Sequence, residues 1–336
     1  MVVLLTGGAG YIGSHTARQL SGHGFQVIIY DNFSSGHREA VKDFPIVAGD
    51  IADADILRAT LTRYRVQAVI HFAADSLVAA SVTDPAKYFQ NNVCKSLILL
   101  NQLVHQNVGY IILSSSAAVY GEPLVVPINE EHPLKPTNPY GDTKCMLEKI
   151  LKRYHEAYGL KYVSLRYFNS AGADPGGDIG EDHEPETHLI PKVLKAALGQ
   201  TEKVSVFGGD YPTKDGTAVR DYIHVKDLAD AHILALNALL HGLRSTVFNL
   251  GSEEGFSVLE VLNTATKITG KSIKYEIVPR RAGDPAILVA SSKKIKQELG
   301  WDPEYKTLEN IIGTAWKWHR SHPCGYTTVC KGDSDG

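Results

Sequence analysis

Short apolar runs alternate with longer amphipathic stretches through the first half of the chain. The runs are rich in valine and isoleucine and are bounded by turn residues, which is typical of buried strands. They predict strands at Val2–Leu5, Gln26–Tyr30, Pro45–Ala48, Ala68–His71, Tyr110–Ser114 and Tyr162–Arg166. The amphipathic stretches predict helices at Tyr11–Ser21, Asp53–Tyr64, Pro85–Gln106 and Pro139–Tyr158. This alternation predicts an α/β fold with a doubly wound, Rossmann-like parallel sheet.

The pattern changes after Asn169. Residues 170–187 are rich in glycine, proline and acidic residues, which predicts a long loop of the kind that often carries function. Beyond it we expect a helix over about 190–199, a strand at Val204–Phe207, a loop to Val219 and a helix from Lys226 to Leu240. These elements indicate a smaller mixed α/β region. The polar tail, 324–336, is expected to fray.

Composition narrows the possible partners. The chain has 336 residues, of which 43% are apolar, enough for more than one domain. Its formal net charge of -3 gives no basis for binding nucleic acid or a membrane surface. The first residues lack a basic leader, and no window of about 18 residues is apolar, so we expect no signal peptide or membrane span.

The cysteines do not form a metal motif. The chain has four cysteines, Cys94, Cys145, Cys324 and Cys330. No two of them form a Cys-x-x-Cys motif and none clusters with histidines, so we expect no metal. We expect free thiols in a reducing, cytoplasmic setting. A disulfide between Cys324 and Cys330 is the less favoured alternative.

A glycine-rich turn follows the first predicted strand. Gly7, Gly10 and Gly13 precede a predicted helix, and glycine lets a backbone approach a pyrophosphate closely at a helix N-terminus. An ordinary tight turn is the alternative. Asp31 ends the second strand, where a carboxylate accepts hydrogen bonds from a ribose hydroxyl and repels a 2′-phosphate. This position favours NAD over NADP, and a solvated acid is the alternative.

Further candidates follow the third and fourth strands. Asp50 and Ile51 are placed to contact adenine, although Asp50 could instead cap the next helix. Phe72, Ala73 and Ala74 follow the fourth strand, where small residues permit close approach of a cofactor or simply pack the strand end.

Tyr140 and Lys144 are four residues apart on the helix that Asn138 and Pro139 begin. Residues at this spacing share a helix face, and a lysine charge favours the phenolate, so we expect a lowered Tyr140 pKa. Ser116 ends the fifth strand, at the edge where such sheets bind ligands. The alternative for Tyr140 is a tyrosine that packs in the core, for Lys144 a solvated lysine, and for Ser116 a serine bonded to backbone.

Several motifs occur in one order over nearly the whole chain. They are TGGAGYIGSH, HFAA, NNV, SSSAAVYG, NPYGDTK, LRYFN, FGGDYPTKDGTAVRDYIHV, FNLGS and PRRAGDP. On these motifs the chain, from Met1 to about Pro323, resembles the extended short-chain dehydrogenase/reductase family. The resemblance implies an NAD-binding domain at 1–169 with about 219–240, and a substrate domain at 170–218 and 241–323.

The resemblance also implies site residues. Catalysis would rest on Ser116, Tyr140 and Lys144. The cofactor residues would be Gly7, Gly10, Tyr11, Ile12, Gly13, Asp31, Asn32, Asp50, Ile51, Phe72, Ala73, Ala74, Asn91, Ser114, Tyr140, Lys144 and Tyr167. The UDP-sugar residues would be Ser116, Tyr140, Asn169, His188, Leu189, Phe207, Arg220, Tyr222, Arg281 and Asp284.

The substrate residues suit a nucleotide sugar. Arginine matches diphosphate oxygens, as Arg220 and Arg281 would, and Phe207 could stack on uracil. Asp284 could accept from ribose hydroxyls or pair with Arg280 in a turn. The alternatives are that Arg220 and Arg281 are ordinary surface arginines, that Phe207 packs in the core and that His188 is a surface histidine.

The family contains several activities, and Ala117 and Ala118 help to separate them. Family dehydratases carry an Asp-Glu pair at these positions, and methyl groups cannot move protons. The resemblance therefore implies redox-neutral inversion at C4 of UDP-glucose and UDP-galactose, with NAD bound throughout. A UDP-N-acetylglucosamine or UDP-pentose epimerase and a sugar-nucleotide dehydratase are the alternatives.

Three positions depart from the family pattern. Ser76 stands where a cofactor-binding lysine is frequent, and His188 where an asparagine is frequent. Leu288 stands where a bulky residue can narrow the sugar pocket, so a C2 N-acetyl group would be admitted. The family also implies a homodimer through the helices at Pro85–Gln106 and Pro139–Tyr158.

Overall fold

The centre of the fold is a seven-stranded parallel sheet. The structure is a computed structural model that describes residues 1–281 and 283–327. The strands are β1 Val2–Thr6, β2 Gln26–Asp31, β3 Ile46–Ala48, β4 Ala68–His71, β5 Tyr110–Ser116, β6 Lys161–Tyr167, β7 Asn169–Ala171, β8 Val204–Phe207, β9 Val219–Arg220, β10 Tyr222–His224, β11 Thr246–Leu250, β12 Phe256–Ser257, β13 Tyr275–Val278 and β14 Ile287–Leu288. The central sheet has the order β11-β6-β5-β4-β1-β2-β3. The predicted doubly wound fold is confirmed.

Helices cover both faces of this sheet. They are α1 Tyr11–Gly22, α2 Ala54–Tyr64, α3 Val78–Thr83, α4 Pro85–Tyr88, α5 Lys95–His105, α6 Pro139–Tyr158, α7 Leu189–Ala197, α8 Val225–Leu240, α9 Val258–Thr269, α10 Lys293–Leu299 and α11 Leu308–Ser321. Along β1, Val3 and Leu5 belong to one core cluster and Leu4 belongs to the other. Such continuous apolar strands are expected of a parallel sheet that is buried on both sides.

The single helix predicted at Pro85–Gln106 is interrupted. A π-helical segment, Phe89–Cys94, separates α4 from α5. It contains the buried Asn92, whose Oδ1 accepts from the Asp75 amide at 2.8 Å and whose Nδ2 donates to the Asp75 carbonyl at 2.9 Å. The widened turn thus places an amide against the loop after β4. Wide turns of this kind are frequent at functional sites.

The smaller elements gather on one side of the central sheet. β8 pairs with β13, and β9 pairs with β12 and β14. Their core lies against α7, α9 and α11, with Val193, Val261 and Ile311 fully buried. The prediction of a smaller mixed region is confirmed as part of the fold, whereas the domain boundaries stay a prediction.

Residues 324–327 are packed, which corrects the expectation of fraying for this first part of the tail. The Tyr326 amide donates to Asp182 Oδ2 at 3.0 Å, and the Tyr326 ring stacks on His37. Aromatic burial outweighs tail entropy here. Residues 328–336 lie outside the described residues.

The cysteine prediction is half right. Cys94 and Cys145 are free thiols, but Cys324 is in a disulfide, which corrects the prediction for that residue. Cys330 lies outside the described residues. In the described part of the chain, no helix has both the length and the apolar character needed to cross a membrane.

A buried ion pair attaches α6 to the sheet. Arg166 on β6 donates to both carboxylate oxygens of Glu148, at 2.9 and 2.5 Å, and Ser115 on β5 donates to the same carboxylate at 2.6 Å. The two charged side chains are only 5% and 6% exposed. A bidentate pair with additional donors fixes both the position and the rotation of the helix.

Removing this carboxylate should destabilise the protein strongly. Glu148→Ala leaves the Arg166 charge buried without a counter-ion, so we expect a loss of about 3–5 kcal/mol in the free energy of unfolding. Glu156→Ala is the matched control, because Glu156 pairs with Arg153 on the exposed face of the same helix. It should lose less than about 1 kcal/mol. Equal losses in urea denaturation would contradict the assignment.

Candidate active site

A cavity of about 570 Å³ opens at the carboxyl edge of the central sheet. Every predicted cofactor residue lines it, and so do Ser116, Asn169, His188, Leu189 and Tyr222. The sheet edge thus brings together residues that are up to 215 positions apart, from Gly7 to Tyr222. This location agrees with the rule that doubly wound sheets bind ligands beyond the carboxyl ends of their strands.

The glycine loop between β1 and α1 forms one end of the cavity. Gly7 has φ +70°, and a Cβ there would lie 2.5 Å from the Ala73 amide nitrogen, so only glycine fits. Gly10 caps α1 without a side-chain hydrogen bond from any described residue. The first N–H groups of α1 therefore remain available to an anion.

Asp31 holds the glycine loop as well as facing the cavity. Its Oδ2 accepts from the Ala9 amide at 2.9 Å and its Oδ1 from the Phe33 amide at 2.8 Å. Burial raises the pKa of Asp31, and these two amide bonds oppose that effect. The alternative of a solvated acid is wrong, because Asp31 is only 7% exposed.

Asp50 faces the cavity and does not cap α2. Asp53 is the cap, accepting from the Asp55 and Ile56 amides at 3.2 and 3.0 Å. Asp50 instead accepts from Lys95 at 2.7 Å and from Asn32 at 3.0 Å. Burial acts to raise the Asp50 pKa, but the hydrogen bonds from Lys95, the Ala52 amide and Asn32 hold it below its usual value.

The tyrosine and lysine of α6 point into the middle of the cavity. Asn138 caps the helix by accepting from the Gly141 amide at 2.9 Å, as predicted. Lys144 Nζ donates to the Ser114 carbonyl at 2.8 Å and lies 5.8 Å from the centre of the Tyr140 ring. The Ser116 hydroxyl lies close enough to Tyr140 to act on its pKa. These contacts fix the three side chains before any ligand binds.

Ser116 and Ser114 place hydroxyl groups at the end of β5. Ser116 Oγ accepts from the Ala118 amide at 3.1 Å, so the serine is bonded to backbone, and its hydroxyl also lies beside Tyr140. The Ser114 hydroxyl forms a short hydrogen bond with Tyr167. Both hydroxyls therefore stand beside the phenols that line the cavity.

The lowered Tyr140 pKa expected from the sequence is wrong for the protein without its cofactor. Burial raises the pKa of Tyr140 to about 12, and the Ser116 hydrogen bond opposes this only in part. Burial also lowers the pKa of Lys144 to about 8, with Glu148 acting against that shift. Desolvation thus outweighs the charge interaction that the spacing predicted.

Four predicted substrate residues lie in the smaller region, outside the described lining of the cavity. They are Phe207, Arg220, Arg281 and Asp284. The Arg281 guanidinium lies 3.8 Å from the centre of the Phe207 ring. Arg220 forms a short ion pair with Asp284. The predicted pairing of Asp284 with Arg280 is wrong, since Arg280 binds Asp210 at 2.7 Å.

Sequence reasoning missed several charged residues of the cavity wall. Lys87 and Lys95 line it, and Lys87 Nζ lies 3.6 Å from Asp75 Oδ1. Ser76, which stands where a lysine is frequent, lines the same wall, so Lys87 supplies a cation there. No motif marks Lys87; only the fold of α4 brings it to the site.

Comparison with known proteins agrees with this geometry. A model of the NAD dependent epimerase/dehydratase family matches residues 3–251. The chain belongs to this family. It is 53% identical to a UDP-glucose 4-epimerase of Halalkalibacterium halodurans over 331 residues, which cover 98% of this chain and 99% of that protein.

Two solved structures extend the similarity. A crystal structure of UDP-glucose 4-epimerase is 50% identical, with a TM-score of 0.95, and the match covers 97% of this chain and 100% of that one. The Bifidobacterium longum UDP-glucose 4-epimerase in complex with NAD+ and UDP is 39% identical, with a TM-score of 0.92 and coverage of 97% and 100%. The predicted family, NAD dependence and epimerase class are confirmed.

The buried lysine should make stability depend on pH in an unusual direction. An unfolded lysine keeps its usual pKa of 10.5, whereas folded Lys144 has a pKa of about 8, so the unfolded chain binds more protons between these values. The stability of cofactor-free protein, relative to Lys144→Met, should therefore rise by up to about 3 kcal/mol across this interval. Urea denaturation at several pH values measures it. A constant or falling difference would contradict the burial of this charge.

Proposed function

We propose that the chain interconverts UDP-glucose and UDP-galactose by inversion at C4, with NAD retained between turnovers. The observation that carries the proposal is the convergence of Tyr140, Ser116 and Lys144 on one cavity with the glycine loop. This set provides one proton acceptor, one hydroxyl and one fixed cation. It suffices for oxidation and re-reduction at a single carbon.

The residues of the cavity suit NAD. The α1 N-terminus and Gly10 would receive the pyrophosphate, and the carboxylate of Asp31 would accept from a ribose hydroxyl while disfavouring a 2′-phosphate. Asn32 and Asp50, already joined to each other, would border the adenosine. NAD would supply a hydride acceptor that returns the hydride within the same turnover.

In the proposed reaction Tyr140 takes the proton of the sugar 4-hydroxyl, directly or through Ser116. Lys144, held by the Ser114 carbonyl, stabilises the negative charge on the phenol. The sugar becomes a 4-ketone when its C4 hydrogen leaves as hydride. After the ketone turns over, the hydride returns to the opposite face and Tyr140 gives its proton back to the oxygen.

UDP would bind beside the cavity and leave the sugar free to turn. Asn169, His188, Leu189 and Tyr222 line the wall on the side of the smaller region, and we assign them to the sugar and diphosphate. We assign Arg220 and Arg281 to the diphosphate, Phe207 to uracil and Asp284 to ribose. Binding energy far from C4 would hold the nucleotide while the pyranose rotates.

A dehydratase is the less favoured function. Loss of water needs an acid and a base beside the sugar, and Ala117 and Ala118 occupy the positions where family dehydratases carry them. Ala117 is 8% exposed and packs in an apolar cluster with Val119 and Phe168. A carboxylate is not accommodated there without desolvation.

Tyr140→Phe tests the proposal directly. NMR of purified protein with UDP-galactose and no added NAD should show UDP-glucose, and the variant should lose about 10²–10⁴-fold in rate because it has no proton acceptor. Tyr158→Phe is the matched control, since Tyr158 is exposed on the same helix, and it should retain activity. Absence of UDP-glucose from the parent even with NAD supplied would refute the hexose assignment.

The size of residue 288 should set the range of sugars. Leu288 is half-buried against the cluster that contains Ala117 and Phe168. We expect the parent to turn over UDP-N-acetylglucosamine, and Leu288→Tyr to lose that activity at least about tenfold more than activity on UDP-galactose, because one pocket group is worth 1–3 kcal/mol. Ratios of kcat/KM measure this. Equal losses on both sugars would show that Leu288 does not border C2.

We also infer a cytoplasmic homodimer that packs through α4, α5 and α6. Met146 on α6 is a large apolar residue that is 42% exposed, as an interface between copies would require. The proposed use of NAD and a UDP-sugar supports the cytoplasmic assignment.

Light scattering of the parent protein should give twice the mass of one chain. The Met146→Glu variant should have a lower mass, because the charge would weaken the interface.

A further inference from the structure

The loop between β7 and α7 contains a cluster of two carboxylates and two imidazoles. One potential ligand atom from each of Glu181, His183, Glu186 and His188 lies within 4.8 Å of the others. His183 and His188 also line the active-site cavity. Apart from the sugar contact proposed for His188, the epimerase chemistry uses none of these groups.

The four side chains converge on Glu181. Its Oε1 lies 3.3 Å from His183 Nδ1 and forms a short contact with His188 Nδ1. His188 Nδ1 is also 3.9 Å from Glu186 Oε1. Two like charges thus face each other at 3% and 5% side-chain exposure, which is unfavourable unless cations lie between them.

The Glu186 carboxylate is fixed by the backbone but has one oxygen without a partner among the described residues. Its Oε1 accepts from the Thr187 and His188 amides at 2.7 and 2.8 Å, which fixes the carboxylate. Its Oε2 is buried and has no hydrogen-bond partner among residues 1–281 and 283–327. A buried, unpaired carboxylate oxygen is unfavourable, so a partner is to be expected.

We propose that Glu181, His183, Glu186 and His188 bind a divalent transition cation, with zinc the best fit. Two imidazole nitrogens and two carboxylate oxygens match its preference for four ligands, and the two carboxylates neutralise its charge. Bonds of about 2.0–2.1 Å place tetrahedral ligands roughly 3.3 Å apart, so the donors need to move by only an ångström or so. A cation bound here would overturn the expectation, drawn from the cysteines, of no metal.

The surrounding structure holds the loop for such a site. The Glu181 carbonyl accepts from the Trp318 indole at 3.2 Å, and the Tyr326 hydroxyl and amide bind Gly180 and Asp182. Tyr11, the first residue of α1, packs edge-on against His183. A cation here would therefore connect the start of α1 to the wall formed by His188, which caps α7.

Protons compete with a metal ion for this cluster. The two carboxylates raise the His188 pKa to about 9, with Glu181 the main cause, so a doubly protonated cluster would also be neutral. A proton and a metal compete for the same imidazole nitrogens. Metal stoichiometry separates the two states, and it does not depend on the enzymatic activity.

The test is zinc binding by holoenzyme that has been treated with a chelator and dialysed. Calorimetry and elemental analysis should give one zinc per chain, and Glu186→Gln and Glu181→Gln should each weaken binding at least about 100-fold, since each removes a ligand charge. Glu184→Gln is the matched control, because Glu184 is exposed in the same loop and is not one of the four ligands. It should bind zinc like the parent.

Cobalt(II) absorption of the parent provides a measurement that no variant's folding can affect. A four-coordinate nitrogen and oxygen site should give visible d–d bands without a sulfur charge-transfer band, and zinc should displace them. Less than about 0.1 zinc per chain in the parent would overturn the proposal. Stoichiometric binding by both Glu181→Gln and Glu186→Gln, with each variant retaining its circular dichroism, would overturn it equally.

Discussion

The position of α6 depends on one buried ion pair, between Glu148 and Arg166, and the candidate chemistry depends on the position of α6. The pair crosses from the helix to β6, with Ser115 of β5 bound to the same carboxylate. One and two helical turns before Glu148, the same face presents Lys144 and Tyr140 to the cavity. The bidentate geometry of the pair favours one rotation of the helix, which adds to the apolar packing of Leu147 and Leu151 on the same helix.

Desolvation is the second constraint on the site. Tyr140 and Lys144 are 9% and 2% exposed, and in the absence of cofactor each is shifted toward its neutral form. The proton acceptor is therefore not active by default. A positive charge beside the phenol, such as that of an oxidised nicotinamide, would lower this pKa, so binding of the cofactor and proton transfer would be coupled through the electrostatics of the cavity.

Sequence patterns predicted β1 to β6 and the residues at their carboxyl ends, because a buried parallel strand needs a continuous apolar run and a parallel sheet collects its strand ends at one edge. They missed β11, whose run contains Asn249, and the π-helical segment, whose geometry depends on Asn92 meeting the loop after β4. The contacts of Lys87 and of the Glu181 cluster arise from loop conformation, which has no periodic signal. Pairings such as Arg220 with Asp284 are tertiary and equally invisible in sequence.

In the proposed reaction one hydrogen leaves C4 of the sugar and returns to the same carbon. UDP-galactose deuterated at C4 allows this hydrogen to be followed, with the purified protein in ordinary water and no added NAD. We expect UDP-glucose that retains its deuterium at C4, as measured by NMR and mass spectrometry. Loss of the deuterium to solvent, or a product that has lost water, would contradict it.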